Sequence, residues 1–180
     1  MSGGIIYPTE RFLDHDEQQR QAEDAHQSRI WTALPIVIEK HNTDTNTVRS
    51  QPTIQLNQVN GKDGTTSWKS IPMGDEQPLL HLGGGGVAIT IPVKKGDEGL
   101  AIYSSRSIDE WWDQGGIQKQ SAAHMHSLSD GFIIPGFRSK PNKIPNVSAD
   151  TWQLRTHDGR TNLDFHPQVS HTRDGSSSGR

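Results

Sequence analysis

From Trp31 onward, apolar positions recur at short intervals broken by glycine, proline and asparagine, as in a chain built of short strands. Ala33 to Glu39 is an apolar run, closed by a turn at Asn42, Asp44 and Asn46. Val48, Ile54 and Leu56 share one parity, and Thr47, Arg49, Gln51, Thr53 and Gln55 occupy the other. That alternation predicts a half-buried strand, within which Pro52 marks an edge or a bulge because it cannot donate to a ladder. Asn60 to Gly64 reads as a hairpin-type turn before a strand at Thr66 to Ile71. Leu79 to Leu82 and Val87 to Ile91 flank four glycines, Gly83 to Gly86, and Pro92 to Glu98 turns the chain into a strand around Leu100 and Ile102. Five or six short strands at this spacing predict a small barrel or sandwich.

The two ends differ from this middle. Thr9 to Arg29 is dense in Glu, Gln, Asp and Arg, without Gly or Pro, and Asp14 followed by Glu17 has the form of a capping box opening a helix. Its apolar positions, Phe12, Leu13, Ala22 and Ala25, are too few for a strong stripe, so it reads either as a solvated arm or as one that docks on a neighbouring subunit. Residues 105–147 are less regular. Ser107 to Asp113 suits one or two helical turns, and the apolar Leu128, Phe132, Ile133, Ile134 and Phe137 imply a connection that lies against something. Near the C-terminus, Trp152 to Thr156 and Thr161 to Phe165 alternate about Asp158-Gly159, which predicts a hairpin with a two-residue turn, and Asp174-Gly175 suggests a further turn. One hairpin is marginal by itself in water. Trp152, Leu154, Leu163 and Phe165 therefore need a surface, which three copies wound round one axis would supply.

Composition strengthens the β reading: Val, Ile and Thr number 35 against 18 for Leu plus Ala. Ile, Val, Leu and Phe make up only 36 of 180 residues. At a net charge of −3, this describes a thin core completed against copies or partners. The absence of cysteine excludes disulfides, thiolate zinc sites and thiol nucleophiles. No apolar run approaches the length of a membrane span, and the first residues lack the pattern of a signal peptide. A soluble chain made in a reducing cytoplasm is expected.

Candidate chemistry is sparse. His124-Met125-His126 would put two imidazoles on one side of an extended strand, where a transition metal could bind. His166 and His171 offer a second pair, and a trimer axis could gather either pair from three chains; the alternative for each is surface or capping histidines. Asp109 and Glu110 lie beside Trp111 and Trp112 as in carbohydrate sites, but adjacent residues point apart, and the indoles suit packing equally well. Gly83 to Gly86 lacks the Lys-Ser/Thr ending of a phosphate loop, so it reads as a hairpin tip. No Gly-x-Ser-x-Gly elbow occurs. A nucleic-acid-wrapping protein is disfavoured by 18 basic against 21 acidic residues.

Five ordered strings carry a resemblance: Arg29 to Pro35 (RIWTALP), Thr47 to Ile54 (TVRSQPTI), Pro92 to Glu98 (PVKKGDE), Ser105 to Trp112 (SRSIDEWW) and His126 to Phe132 (HSLSDGF). Together, from about Thr9 to Phe137, they resemble the central spike proteins of contractile-tailed bacteriophages that begin with an OB-fold domain. The resemblance implies a mainly β homotrimer in the virion tail baseplate. Residues 1–30 would form a helical arm, 31–112 the OB-fold barrel, 113–147 a packed connection and 148–180 a short intertwined β-stem. It further implies docking on a baseplate hub protein and transient contact with the host outer membrane as the spike pierces it. Trp31, Trp111, Trp112, Phe132, Trp152, Leu154, Leu163 and Phe165 would then be packing and interface residues. Related spikes carry an apical His-x-His ion site formed by three chains; His124 and His126 precede the stem and do not match it. About thirty residues follow Ser148, which at 3.3 Å each reach roughly 100 Å at most, so a separate spike-tip protein is expected to complete the device. No enzyme activity, cofactor or nucleic-acid partner is expected, a trimer-axis metal ion aside. The rivals are an OB module that stacks single-stranded nucleic acid on Trp31, Trp68 and Trp111, and a glycan hydrolase acting through Asp109 or Glu110.

Overall fold

The computed structural model of the protein describes residues 8–60 and 64–166; His171 and the Asp174-Gly175 turn lie outside them. The chain opens with α1, Pro8–Gln27. Pro8 suits the first helical position, where its missing N–H leaves no bond unmade. The helix thus begins well before the expected capping box at Asp14. Glu17 lies within the helix and pairs with Arg20 at 2.8 Å, which Asp24 also approaches at 3.2 Å. From Asp16 to Gln27 every side chain on α1 is exposed.

The principal sheet contains β1 (Ala33–Asn42), β2 (Thr47–Pro52), β5 (Gly74–Pro78), β8 (Glu98–Tyr103) and β9 (Gly131–Pro135), in the order β5-β2-β1-β8-β9, with every pair antiparallel. It curls into a half-barrel. Its two edges meet where Leu79 forms a parallel bridge to Ile133 and the Leu80 N–H donates to the Ile133 carbonyl at 2.8 Å. A curled antiparallel sheet with this order is consistent with an OB-like fold. Two hairpins interrupt it, β3 (Gln55–Val59) with β4 (Thr66–Ser70) and β6 (Leu82–Gly84) with β7 (Val87–Ile89). Gly85 and Gly86 turn the second of these with φ of 60° and 84°, as a two-residue hairpin loop requires.

Alternation fills the barrel. Ile36 and Ile38 on β1, Val48 on β2, Ala101 and Tyr103 on β8 and Ile133 on β9 are buried together with Leu79, and Trp31, Leu34, Val93 and Leu128 pack around them. Small residues face large ones across the ladders. Ile36 pairs with Gly99 and Tyr103 with Gly131, where a larger residue would collide with its neighbours. The core also holds a polar device: the Ser50 hydroxyl donates to Gln77 Oε1 at 2.6 Å, and Gln77 Nε2 donates to the Leu128 carbonyl at 3.3 Å. At the corner after β7, Gly96 adopts φ 94° and donates to the Ile38 carbonyl at 2.8 Å. The Asp97 carboxylate accepts the Lys94 N–H at 2.9 Å, closing that turn.

Two expectations change, and a third shifts by two residues at its start. The strand anticipated from Val48 to Leu56 breaks after Pro52, which leaves Ile54 and Leu56 exposed on the hairpin side. The segment at Gly131 to Pro135, anticipated only as a packed connection, is an edge strand of the sheet. The helical turns near Ser107 form α2, Asp109–Gln114, which ends where Gly115 takes φ 67°.

The chain divides into two compact units, one up to Phe137 and one from Arg138. In the second, β10 (Trp152–Arg155) pairs with β11 (Asn162–Phe165), setting Trp152 opposite Phe165 and Leu154 opposite Leu163. The connection between them spans residues 156–161 rather than two residues. Thr156 and Thr161 still pair at 2.9 Å, and the Asp158 carboxylate accepts the Thr156 hydroxyl at 2.7 Å and the Arg160 N–H at 3.1 Å. The carboxylate thereby ties the two sides of the turn together. Arg155 braces the hairpin by donating to the carbonyls of Asn146 at 2.6 Å and Pro145 at 2.9 Å.

Candidate functional site

The side chains with chemical potential converge where β9 begins. Asp130, with no exposed surface, stands immediately before that strand. Its backbone N–H donates to the Ser127 carbonyl, and its own carbonyl accepts the Ser104 N–H at 2.9 Å. Its carboxylate Oδ1 accepts the Ile108 N–H at 3.1 Å, which fixes the entrance to α2. From that anchor α2 presents Trp111 to Phe132 with ring centroids 5.7 Å apart, and Trp112 lies 6.3 Å from Trp111. Tilted aromatic pairs at these distances are favourable beyond the area they bury.

These rings line an open apolar groove of about 620 Å³ together with Pro78, Leu80 and His81. Both ring nitrogens of His81 are shielded from solvent without a hydrogen-bond partner. Polar atoms in that state call for a partner. A second groove, of about 360 Å³, runs past Trp31, Leu56, Lys69 and Pro72.

The histidines considered as a metal-binding pair on a strand are placed otherwise, nearer to the capping alternative. His126 adopts a left-handed φ of 50°, so the segment is not extended there. Its Nδ1 lies 3.0 Å from the Trp31 carbonyl and its N–H donates to the Ser104 carbonyl, which pins the segment leading into β1. His124 instead turns its Nε2 to within 2.7 Å of Asp130 Oδ2. Asp109 joins these two, whereas His126 is engaged with backbone. His166 is exposed just beyond β11.

The two acidic residues considered for glycan chemistry have separate partners. Asp109 accepts the Ser107 hydroxyl at 3.0 Å, and Glu110 accepts the Gln114 amide at 2.7 Å. Asp130 and Gln77 were not singled out from the sequence. Each is buried because of long-range neighbours, and an Asp-Gly pair ahead of an apolar run is the one local cue to the first.

Large apolar side chains also remain uncovered on the three hairpins. Trp68 is 69% exposed on β4, Val87 is 76% exposed on β7, and Trp152 is 62% exposed on β10. On the β10–β11 hairpin, the tilted rings of Trp152 and Phe165 meet with centroids 4.5 Å apart beside Leu154 and Leu163, and all four are exposed.

Residues 34–136 match the family described as phage protein Gp138, N-terminal domain. The matched span runs from the second residue of β1 to one residue past β9, so it contains all of the curled sheet but Ala33, and both hairpins between its strands. No curated protein matches the chain.

Proposed function

Since the chain belongs to the phage protein Gp138 N-terminal domain family, we propose that it is the central spike, or the base of the spike, of a contractile-tail baseplate. In this reading the protein is a homotrimer without enzymatic activity. The OB-like sheet docks on a hub protein, and the hairpins of three chains pack about a common axis as a short stem that helps to part the host outer membrane. A separate tip protein completes the stem.

One observation supports this reading above the rest: Trp152, Leu154, Leu163 and Phe165 form an apolar face that a two-stranded hairpin leaves open. Two strands alone are marginal in water, whereas the same four side chains repeated around a threefold axis bury one another. Strands hydrogen-bonded and packed between chains also resist unfolding under load, as a piercing device requires. The groove at Trp111 and Trp112, with its unpartnered His81, suits a further contact with a second copy. Light scattering of the purified protein tests the reading. A mass of about 60 kDa, three times the chain mass of 19.9 kDa, is expected, and a monomer at micromolar concentration overturns it.

A further inference from the structure

Ligand-bearing atoms of Asp109, His124 and Asp130 all lie within 4.8 Å of one another. Asp130 is the fixed member. Its Oδ1 takes the Ile108 N–H, while Oδ2, equally buried, makes no hydrogen bond. The approach of His124 Nε2 at 2.7 Å is close enough for an ion pair but not aligned for a hydrogen bond. A buried carboxylate oxygen without a donor is costly to keep, and a cation in front of it removes that cost.

We propose that Asp109, His124 and Asp130 bind one divalent transition-metal ion of the zinc type. An imidazole nitrogen with two carboxylate oxygens suits zinc and its first-row neighbours; calcium and magnesium take oxygen ligands. Tetrahedral zinc at its usual bond lengths holds its ligand atoms roughly 3.4 Å apart. Reaching that spacing takes a modest rotation of Asp109 and of His124, which eases back from its 2.7 Å approach; both are exposed, and Asp130 stays in place. Ser107 already orients Asp109 through its hydroxyl, as an outer-shell partner of a metal ligand does. The ion ties three segments together: the start of α2, the loop carrying His124, and the entry to β9. Those segments set Trp111 against Phe132. This site does not depend on the spike reading, and its failure would leave that reading intact.

The test uses the untagged full chain, stripped with a chelator and titrated with zinc chloride by calorimetry, with metal content measured after dialysis. One zinc per chain is expected. Asp109→Asn and His124→Ala should each lower affinity at least tenfold while the circular dichroism of the metal-free protein stays that of the fold; its melting temperature should hold in Asp109→Asn and fall in His124→Ala, which leaves buried Asp130 without its ion-pair partner. Asp130→Asn also removes a contact that holds the fold, so the two exposed variants carry the decision. Zinc retained equally by both variants would place the ion on other histidines and overturn the proposal. So would the absence of stoichiometric zinc, or displacement of zinc by equimolar calcium or magnesium.

Discussion

The side-chain amide of Gln77 occupies the space that a side chain at Gly131 would need. Gln77 cannot simply swing aside, because it is buried and bonded to Ser50 and to the Leu128 carbonyl. Gly131→Ala should therefore destabilise the protein by about 1–3 kcal/mol, the usual cost of overpacking. Gln77→Ala alone strands the Ser50 hydroxyl and should cost about 1–3 kcal/mol. In the double variant the alanine at 131 gains room, so the combined loss in urea unfolding should fall short of the sum. Strict additivity would show that the two residues do not compete for that space.

The apolar hairpin face should control assembly more than folding of the sheet. Leu154→Asp with Leu163→Asp places two charges opposite one another on β10 and β11, where three copies would bury them. Sedimentation should show the proposed trimer replaced by monomer, while circular dichroism retains the signal of the curled sheet. A trimer that survives the double substitution would move the subunit interface elsewhere.

Gly96 and Gly84 offer a contrast between two glycines with open space around them. Gly96 adopts φ 94°, whereas Gly84 lies outside the left-handed region. Alanine at 96 should cost about 1–3 kcal/mol because an L-residue is strained there. At exposed Gly84 the change should stay within about 0.5 kcal/mol. Thermal melts of the two single variants check the difference, and equal shifts would count against backbone strain as the cause.

The loop at Asp158 should respond to acid. Its carboxyl is held below the ordinary value of 3.8, first by the Thr156 hydroxyl and then by the Arg160 N–H. Because the folded value is the lower one, the loop's added stability is complete above about pH 4. It is then lost as the pH falls through the depressed value. Amide resonances of Gly159 and Arg160 should follow this titration below pH 4 and stay flat in Asp158→Asn. A midpoint at or above 3.8 would contradict the contacts seen in the loop.

Much of the β architecture was legible because its cause is local. Trp152 to Phe165 alternates about a turn, and that period fixes which side chains share a face, whatever the chain pairs with. Gly83 to Gly86 likewise announces a hairpin through backbone freedom alone. The edge strand at Gly131 to Pro135 was not legible as a strand. Its apolar run has no alternation, and pairing with β8 some thirty residues earlier makes it a strand. His124 illustrates the same limit at the candidate site, since its neighbour in sequence, His126, is bound to the Trp31 carbonyl while Asp109 and Asp130 are its neighbours in space.

The sequence by itself determined that the chain would build short strands around a thin core and leave apolar side chains sharing one face of a hairpin. Those properties follow from residue type and period. Only the tertiary structure decided that the sheet closes through Leu79 and Ile133, that Gln77 fills the space beside Gly131, and that one imidazole meets two carboxylates beside α2. Such contacts join residues far apart in the chain, and their geometry is set by packing that no local pattern encodes.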